Sequence, residues 1–419
     1  MNSQSEEKNN LLAGNIGRVL MISGSFPPMP CGVGDSAHEL AKSLAVKGVD
    51  ISVLTDKAAH SVSAGDGPVQ IRAEVENWGL GGVNNLVRLV EQANPDIVHI
   101  HYPTKAYGKG LAVPFLPMLI RTRRRPYGIV LTLHEFRLSR PARKFASFIM
   151  LDPCDAICMP CILELNALRR RHASVNEKIT AAIPIGPVGP SPDDLSESIR
   201  LALRDQVRKE LGLTPDKAVL IHYGTPTKSK GLEVLFKALR LLKLEGEVPE
   251  LLIVGDCRSQ NESFHNAITG QPAGLGIKDQ VHWLGRLPEE KLPGVFAAAD
   301  IGVFPFLDGF SFRRSSLIGV LMWDIPIITT EPDGELADLV GQEKVRFVAR
   351  NDPRALATGL MPLVANRKAL DLAKTVPNPL KEFFRWDQIA NQYIDIYRLV
   401  REERQTTSSE SRLDTGPPG

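Results

Sequence analysis

The sequence has no apolar run long enough to cross a bilayer. The longest run, residues 111–120, is about half of the ~20 residues that a membrane-spanning helix needs. Residues 1–15 are polar and acidic, without the basic start and apolar core of a secretory signal. We therefore expect an intracellular, cytoplasmic protein. The alternative is a location at the inner face of the membrane.

Cysteine is scarce and charge is nearly balanced. Five cysteines in 419 residues are an odd number and thinly spread, so a disulfide framework is not expected. Cys154, Cys158 and Cys161 form a Cys-x3-Cys-x2-Cys pattern, but no second ligand pair accompanies them, and the segment also fits a buried strand entering a helix. The formal net charge of +2 does not indicate a polyanion, and no nucleic-acid partner is predicted.

Strands and helices alternate along the chain. Residues 18–23 predict a buried strand, and a Gly- and Pro-rich loop, a helix over 36–47 and a strand over 51–55 complete a βαβ unit. Further short apolar strands, separated by helical stretches, are predicted at 96–101, 128–133, 156–159, 179–184, 219–223, 250–254, 281–284, 301–304 and 325–329. This alternation is typical of α/β proteins with parallel sheets covered on both faces.

The length of the chain and one punctuated segment predict two domains. The chain exceeds one ordinary core, and residues 185–194 carry the Gly, Pro and Asp pattern of a linker. Doubly wound, Rossmann-like domains are predicted over 16–188 and 189–382, followed by a long amphipathic helix over 383–400. Both ends are predicted to be disordered, at 1–15 and 401–419.

The loop between the first strand and the first helix carries Gly32, Val33 and Gly34. Ligands of open α/β sheets bind at the carboxyl ends of strands, and glycines there let the backbone approach a ligand closely. The helix N-terminus that follows favours an anion such as pyrophosphate. The alternative is a tight glycine turn without a ligand, since the segment is not the GxGxxG fingerprint.

His134 follows the strand predicted at 128–133, where its side chain can meet a sugar hydroxyl or a phosphate. His99 and His101 end the preceding strand. Alternation sends both to the same face, so a structural role is open for at least one of them. A hydrogen-bonded structural role is the alternative for His134 as well.

Two loops in the second half suit a diphosphate. Lys230 lies just before a helix, where its ammonium can meet a diphosphate as a point charge, and Thr225 precedes it. The other loop joins a strand to an apolar helix and carries a carboxylate, a glycine turn, hydroxyls and arginines: Asp308, Gly309, Phe310, Ser311, Arg313, Arg314 and Ser316. A solvated lysine and ordinary helix capping are the alternatives.

In this order and spacing, the motifs resemble the retaining GT-B glycosyltransferases, a family that includes bacterial mannosyl-, glucosyl- and N-acetylglucosaminyltransferases. The similarity runs from about residue 18 to residue 400 and rests on FPPMPCGVGDSAHELAKSLAVKGVDISVLT, PDIVHIHYP, IPIGP, KGLEVLFKAL, LLIVGD, VHWLGRLPEEKLPGVFAAADIGVFPFLDG and FRWDQIANQYIDIY. It implies two Rossmann-like domains facing a central cleft, a C-terminal helix that crosses back to the N-terminal domain, and no metal or other cofactor.

The resemblance also implies an activity, the retaining transfer of a sugar from a nucleotide sugar (UDP- or GDP-linked) to a glycan or lipid-linked glycan acceptor. Such a transfer belongs to polysaccharide or cell-surface glycan biosynthesis. Matching positions give the expected roles: His134 in the catalytic cleft, Lys230 on the donor diphosphate, Gly32 and Gly34 beside its phosphates, Asp308 on the donor sugar, and Arg286 and Leu287 at the base.

Two departures distinguish this chain from the family pattern. Many members have an arginine shortly before the lysine, where Thr225 stands here, and many have two glutamates eight residues apart, where Asp308 and Ser316 stand. Asp308 keeps a carboxylate, whereas Ser316 offers the ribose only a neutral bond. A non-catalytic nucleotide-sugar-binding or assembly protein is therefore an alternative, as is a sugar-nucleotide epimerase, which shares the architecture.

Basic residues crowd positions 121–144, where Glu135 is the one acidic residue. They are Arg121, Arg123, Arg124, Arg125, Arg137, Arg140, Arg143 and Lys144, and the first half adds Arg169, Arg170 and Arg171. This crowding indicates either a solvated basic face or a peripheral contact with an anionic membrane or a lipid-diphosphate acceptor.

Overall fold

The computed structural model describes residues 16–62, 68–123, 125–137, 139–258, 261–332 and 344–413. The chain divides into two compact units, Met1–Gly186 with Phe384–Gly419, and Pro187–Phe383. Each unit is built on one parallel sheet, and the predicted α/β, doubly wound fold class is confirmed. In the part of the chain that the structure describes, no helix has both the length and the apolar character required to cross a membrane.

The strands are short and lie close to their predicted places. They are β1 (Arg18–Ile22), β2 (Asp50–Asp56), β3 (Gln70–Val75), β4 (Ile97–Tyr102), β5 (Gly128–Leu133), β6 (Ala156–Met159), β7 (Ile179–Ala182), β8 (Val219–Tyr223), β9 (Glu250–Val254), β10 (Val281–Gly285), β11 (Ile301–Phe304), β12 (Ile327–Thr330) and β13 (Val345–Val348).

Helices follow most strands. They are α1 (Gly32–Val46), α2 (Val83–Ala93), α3 (Ala112–Thr122), α4 (Pro141–Leu151), α5 (Ile162–Arg169), α6 (Glu197–Glu210), α7 (Leu232–Leu244), α8 (Glu262–Gly274), α9 (Leu292–Ala298), α10 (Ser315–Leu321), α11 (Pro353–Val364), α12 (Arg367–Thr375), α13 (Leu380–Phe384) and α14 (Trp386–Leu413).

The N-terminal unit has seven strands in the order β3-β2-β1-β4-β5-β6-β7, and its sheet is buried on both faces. On one face, apolar residues such as Leu20 pack with α2, α3 and α4. On the other face, Met21 and Val130 pack with Leu40 of α1 and Tyr397 of α14. Continuous apolar strands such as 128–133 are needed because each face meets helices.

The C-terminal unit has six strands in the order β10-β9-β8-β11-β12-β13. Its described core joins Leu220, Ile253 and Val303 of the sheet to Leu235 of α7 and Leu360 of α11. Both sheets therefore place their first and fourth strands side by side. This is the arrangement in which ligands bind beyond the carboxyl ends of the strands where the order reverses.

The last helix differs from its prediction at both ends. The structure ends a short helix at Phe384, begins α14 at Trp386 and continues it to Leu413, so the disordered tail predicted from residue 401 is wrong for 401–413. Two arginines explain the extension, because Arg401 pairs with Asp96 and Nε of Arg404 donates to Asp155 at 3.0 Å. Residues 1–15 and 414–419, also predicted to be disordered, lie outside the described residues.

Candidate active site

The loop after β1 places its glycines differently from the prediction. The first helix begins at Gly32, four residues before the predicted start, so Val33 and Gly34 lie in its first turn. A Cβ on Gly34 would lie 2.5 Å from the carbonyl oxygen of Ser25, whereas a Cβ on Gly32 would meet nothing within 4 Å. Glycine is therefore required at position 34, because two backbone segments pack closely there. Gly32 is exposed, and a phosphate could approach it.

Three histidines and a threonine meet at the carboxyl ends of β4 and β5. Nδ1 of His101 and Nε2 of His134 lie 3.0 Å apart. His99 makes a bond at each ring nitrogen, one to Tyr397 and one to Oγ1 of Thr132, both at 2.7 Å. The histidine that the sequence singled out is thus part of a buried cluster rather than a lone side chain.

Burial controls the charge of this cluster. Desolvation lowers the pKa of His134 to about 4. Desolvation and then the neighbouring His134 lower the pKa of His99 to about 3. The rings are therefore neutral at physiological pH and act through hydrogen bonds rather than through positive charge.

A small recess lies beside the cluster within the N-terminal unit. Its polar lining includes Ser36 of α1, His101, Thr132, His134 and Tyr393 of α14. Apolar residues complete the wall: Leu40, Pro160, Ile183, Pro184, Ile185, Trp386 and Ile389. The recess has room for about one water molecule.

Lys230 lies in the C-terminal unit between β8 and α7, as predicted, and its Nζ donates to Oγ of Ser316 at 2.9 Å. Nζ also lies 5.1 Å from the centre of the Phe306 ring. Desolvation and then the nearby Arg314 lower the pKa of Lys230 to about 7, although Asp308 opposes the shift. A bound anion would raise the pKa of Lys230 again, because it favours the charged form that burial disfavours.

Asp308 forms an ion pair with Arg314, whose guanidinium lies 4.1 Å from the centre of the Phe306 ring. Lys230 and Arg314 therefore both lie over one aromatic ring, and one carboxylate accompanies the two cations. Such a site suits a ligand that carries both negative charge and hydroxyl groups.

Glycines bring the loops of this unit together. Gly224 has a φ of +114°, and a Cβ there would lie 3.0 Å from Oγ of Ser316 and 3.2 Å from Nζ of Lys230. Gly231 has a φ of +70°, and a Cβ there would clash with the carbonyl oxygen of Pro305. The loop after β8 can therefore approach the loop after β11 only with glycine at both positions.

The other predicted donor-site residues lie at varying depths. Thr225 is partly buried beside Gly224, and Arg286 and Leu287 follow β10, the edge strand two places from β8. Phe310 is 2% exposed and its ring packs against Phe347, so its side chain belongs to the core. The remaining members, Gly309, Ser311 and Arg313, lie between Asp308 and α10.

Sequence reasoning underrated several residues of the two sites. Arg314, rather than Arg313, pairs with Asp308, and Nε of Arg313 makes a long contact of 3.4 Å to Oγ of Ser311. His101 lies directly on His134. The strand-end position of His101 was a usable signal, whereas choosing between adjacent arginines in a loop requires coordinates.

The three cysteines of the Cys-x3-Cys-x2-Cys pattern are buried thiols. Burial raises the pKa of Cys154 and of Cys158 to about 12, which disfavours the thiolate that binds metals. Across the described ranges, no three His, Cys, Asp or Glu side chains are grouped so as to hold a metal ion.

Two family models match the chain, one in each unit. The model described as Glycosyltransferase Family 4 matches residues 30–184. The model described as Glycosyl transferases group 1 matches residues 203–375. The chain belongs to the group 1 glycosyltransferases of GT-B fold. Its order of motifs and its paired doubly wound sheets agree with that family.

Curated relatives of this group 1 glycosyltransferase are distant. The capsular polysaccharide biosynthesis glycosyltransferase CapM of Staphylococcus aureus is 20% identical over 66% of this chain and 76% of its own. The O-antigen chain mannosyltransferase B of Escherichia coli is 22% identical over 43% of this chain. The chain spans about half the length of that relative (45%) and of a glycosyltransferase of Methanocaldococcus jannaschii (48%).

Solved structures of glycosyltransferases share the fold over nearly the whole chain. A glycosyltransferase of Rickettsia africae has a TM-score of 0.70 at 16% identity, covering 92% of this chain and 99% of its own. Anabaena HepE, solved in complex with UDP-glucose, has a TM-score of 0.66 at 15% identity, covering 94% and 100%. At this level of identity the likeness concerns the fold.

Proposed function

We propose that this protein transfers a sugar from a UDP- or GDP-sugar to a glycan or lipid-linked glycan acceptor, with retention at the anomeric carbon. The pathway we propose for it is the synthesis of a polysaccharide or cell-surface glycan. The observation that carries the proposal is the pairing of Lys230 and Arg314 around Phe306, at the carboxyl ends of β8 and β11. The names of the relatives, which include capsular and O-antigen transferases, support the same class of reaction.

In the C-terminal unit, the donor diphosphate binds at Lys230. Its ammonium and nearby backbone amides neutralise the diphosphate as it leaves, which lowers the barrier because charge builds up on the leaving group in the transition state. Asp308 accepts a hydrogen bond from a hydroxyl of the donor sugar while it remains ion-paired with Arg314. Arg314 supplies the second cation, a role that many relatives give to an arginine near the position of Thr225.

In the N-terminal unit, His134 orients the reacting sugar through a hydrogen bond. Its pKa of about 4 keeps the ring neutral, so it positions hydroxyl groups rather than neutralising phosphate. Gly32, at the exposed start of α1, leaves room for the donor phosphates. We propose that the transfer uses front-face displacement and needs no metal ion, because the cationic side chains take over the neutralisation of charge.

We also propose a peripheral contact with an anionic membrane, and the structure narrows the residues that could make it. Arg121 pairs with Asp155, while Arg123 and Arg125 pair with Glu91, so these three arginines serve the fold. Arg124 lies outside the described residues.

Helix α4 presents a basic cluster beside an apolar side chain. Arg140 is exposed, Arg143 and Lys144 are partly exposed, and the side chain of Phe145 is 67% exposed. Basic residues beside an exposed aromatic ring suit the headgroup region of a membrane. This end of α4 is therefore the surface that we propose for anionic lipid.

The activity is tested by incubating the protein with a panel of nucleotide sugars and acceptors. Release of nucleoside diphosphate together with an α-linked product from an α-linked donor supports retaining transfer. Binding without turnover would indicate an assembly protein, and an isomerised sugar nucleotide would indicate an epimerase. A loss of turnover is expected in His134→Ala and in Lys230→Ala, with unchanged circular dichroism. Full activity of both variants would refute the assigned site.

A further inference from the structure

His99 and His101 share one face of β4 but differ in how their nitrogens are used. Both nitrogens of His99 are hydrogen-bonded, and Oγ1 of Thr132 continues this chain to the hydroxyl of Tyr393 at 3.0 Å. Such complete bonding is what a buried structural histidine needs. His99 therefore fastens the sheet to α14 and leaves no nitrogen for a ligand.

His101 is bonded at one nitrogen only. Its Nδ1 meets Nε2 of His134 at 3.0 Å, with ring centres 5.3 Å apart. Nε2 of His101 and Nδ1 of His134 are buried and have no hydrogen-bond partner among the described residues. Buried polar atoms without partners are uncommon in folded proteins, and these two belong to adjacent rings that line one recess.

The hydrogen bond couples the tautomers of the two rings. Desolvation, with smaller contributions from His99 and His134, lowers the pKa of His101 well below its usual value, and His134 is neutral for the same primary reason. In a neutral pair, one ring donates across the 3.0 Å bond and the other accepts. The two outer nitrogens are then necessarily unlike, one being an N–H and the other a lone pair.

Both outer nitrogens are buried, but the two residues differ in exposure. A buried N–H without a partner is rarer than an acceptor without one, so the outer lone pair belongs on the more deeply buried ring. His101 is 1% exposed and His134 is 6% exposed. This difference favours the arrangement in which Nδ1 of His101 donates to Nε2 of His134 and Nδ1 of His134 carries the outer N–H.

We propose that His101 is a positioning residue, which fixes His134 in the tautomer whose Nδ1–H donates to an oxygen of the sugar substrate. The inference rests on the proposed function, because the ligand of that N–H is the reacting sugar. The polar groups that surround the pair come from four elements, α1, β4, β5 and α14: Ser36, His99, Thr132 and Tyr393. All four are buried and uncharged at neutral pH, so the donated bond decides the tautomer.

The first experiment reads the tautomer without any assay of activity. In protein labelled with ¹⁵N-histidine, long-range ¹H–¹⁵N spectra should show a protonated Nδ1 on His134 and a protonated Nδ1 on His101. In His101→Phe, which keeps a flat ring but removes the donor, His134 should become a mixture of tautomers. A wild-type His134 that is protonated at Nε2, or an unchanged His134 in the variant, would overturn the proposal.

The second experiment is kinetic. His101→Phe should lower kcat by about 100-fold, the size of an ordinary acid–base or orienting effect, with little change in the donor KM. His101→Asn should recover at least about tenfold of that loss, because an asparagine amide places a donor near the position of Nδ1. His99→Phe is the matched control, which should lower the melting temperature without altering the tautomer of His134.

The outcomes separate the two proposals. Full activity of His134→Ala would refute the proposed role of His134, whatever the activity of the His101 variants. If His134→Ala is inactive but His101→Phe is fully active, only the positioning role of His101 is refuted. If His101→Phe does not fold, His101→Asn and the wild-type spectrum still decide the tautomer.

Discussion

Nζ of Lys230 donates a hydrogen bond to Oγ of Ser316, and the two side chains enclose the position where Gly224 lacks a Cβ. Ser316 follows Asp308 by eight residues and offers this lysine a neutral hydroxyl. Burial and then Arg314 lower the pKa of Lys230 to about 7, and the carboxylate of Asp308 offsets only part of that shift.

Nucleotide binding should weaken as pH rises. A diphosphate favours the protonated lysine, so binding should take up a proton above pH 7. Affinity for UDP or GDP should then fall by at most about tenfold per pH unit between pH 7 and 9. Isothermal titration calorimetry in two buffers of different ionisation enthalpy measures the proton uptake. Lys230→Arg, whose guanidinium stays charged, should flatten the profile, and a flat wild-type profile would contradict the assignment.

Ser316→Glu should remove that pH dependence. A carboxylate at this position would pair with Lys230, raise the pKa of its ammonium and keep it charged through pH 9. The same titration measures the effect. Ser315→Glu is the control, since it adds the same charge one residue away from the hydrogen bond to Lys230. If the affinity of Ser316→Glu for the nucleotide falls with rising pH as steeply as that of the wild type, Lys230 is not the titrating group.

Binding to anionic vesicles should depend on α4. Arg143→Glu combined with Lys144→Glu should lower the affinity for phosphatidylserine-containing liposomes by at least about tenfold at low salt, since each basic residue near such a surface contributes about 1 kcal/mol. Co-sedimentation measures it. Lys237→Glu, on α7 of the other unit, should have no effect. Equal binding by all three proteins, or no binding by the wild type, would refute the proposed lipid-binding surface on α4.

Asp300 should matter for stability far more than a surface carboxylate. It is fully buried, pairs with Arg208 and Lys374, and accepts from the backbone N–H of Val219 at 2.9 Å. Although burial alone would raise its pKa, the two cations lower it. Asp300→Asn should reduce the free energy of unfolding by about 3 kcal/mol, because it leaves the buried Arg208 and the partly exposed Lys374 short of negative charge.

Urea unfolding followed by circular dichroism measures the effect of Asp300→Asn. Asp395→Asn is the control, because Asp395 pairs with Arg398 at the surface and should cost less than about 1 kcal/mol. Equal losses of stability in the two variants would contradict the buried network.

The strands could be predicted wherever the sheet is buried on both faces. Residues 219–223, 250–254 and 301–304 were placed without error, since burial on both sides demands an unbroken apolar run. Two of the four edge strands of the described sheets, β3 and β13, were missed, because charged residues interrupt their apolar residues. An edge strand needs only one neighbour and leaves a weaker signal.

The candidate site could be predicted in its residue types but not in its pairings. The positions of His134 and Lys230 followed from the rule that functional side chains occupy strand ends. The bonds from His134 to His101 and from Asp308 to Arg314 depend on side-chain directions across different loops and strands. The helical extension beyond residue 400 was missed because its support comes from aspartates more than two hundred residues earlier in the chain.

The order in which the chain is synthesised constrains the order in which its two units finish folding. One face of the N-terminal sheet is completed by Ile389, Tyr393 and Tyr397 of α14, which the ribosome makes only after residues 187–383. The C-terminal unit, by contrast, is continuous in sequence. We expect it to finish folding first, while the sheet of the N-terminal unit still has one apolar face uncovered. The hydroxyls that hold His99 arrive last, so the histidine cluster is among the final features to form.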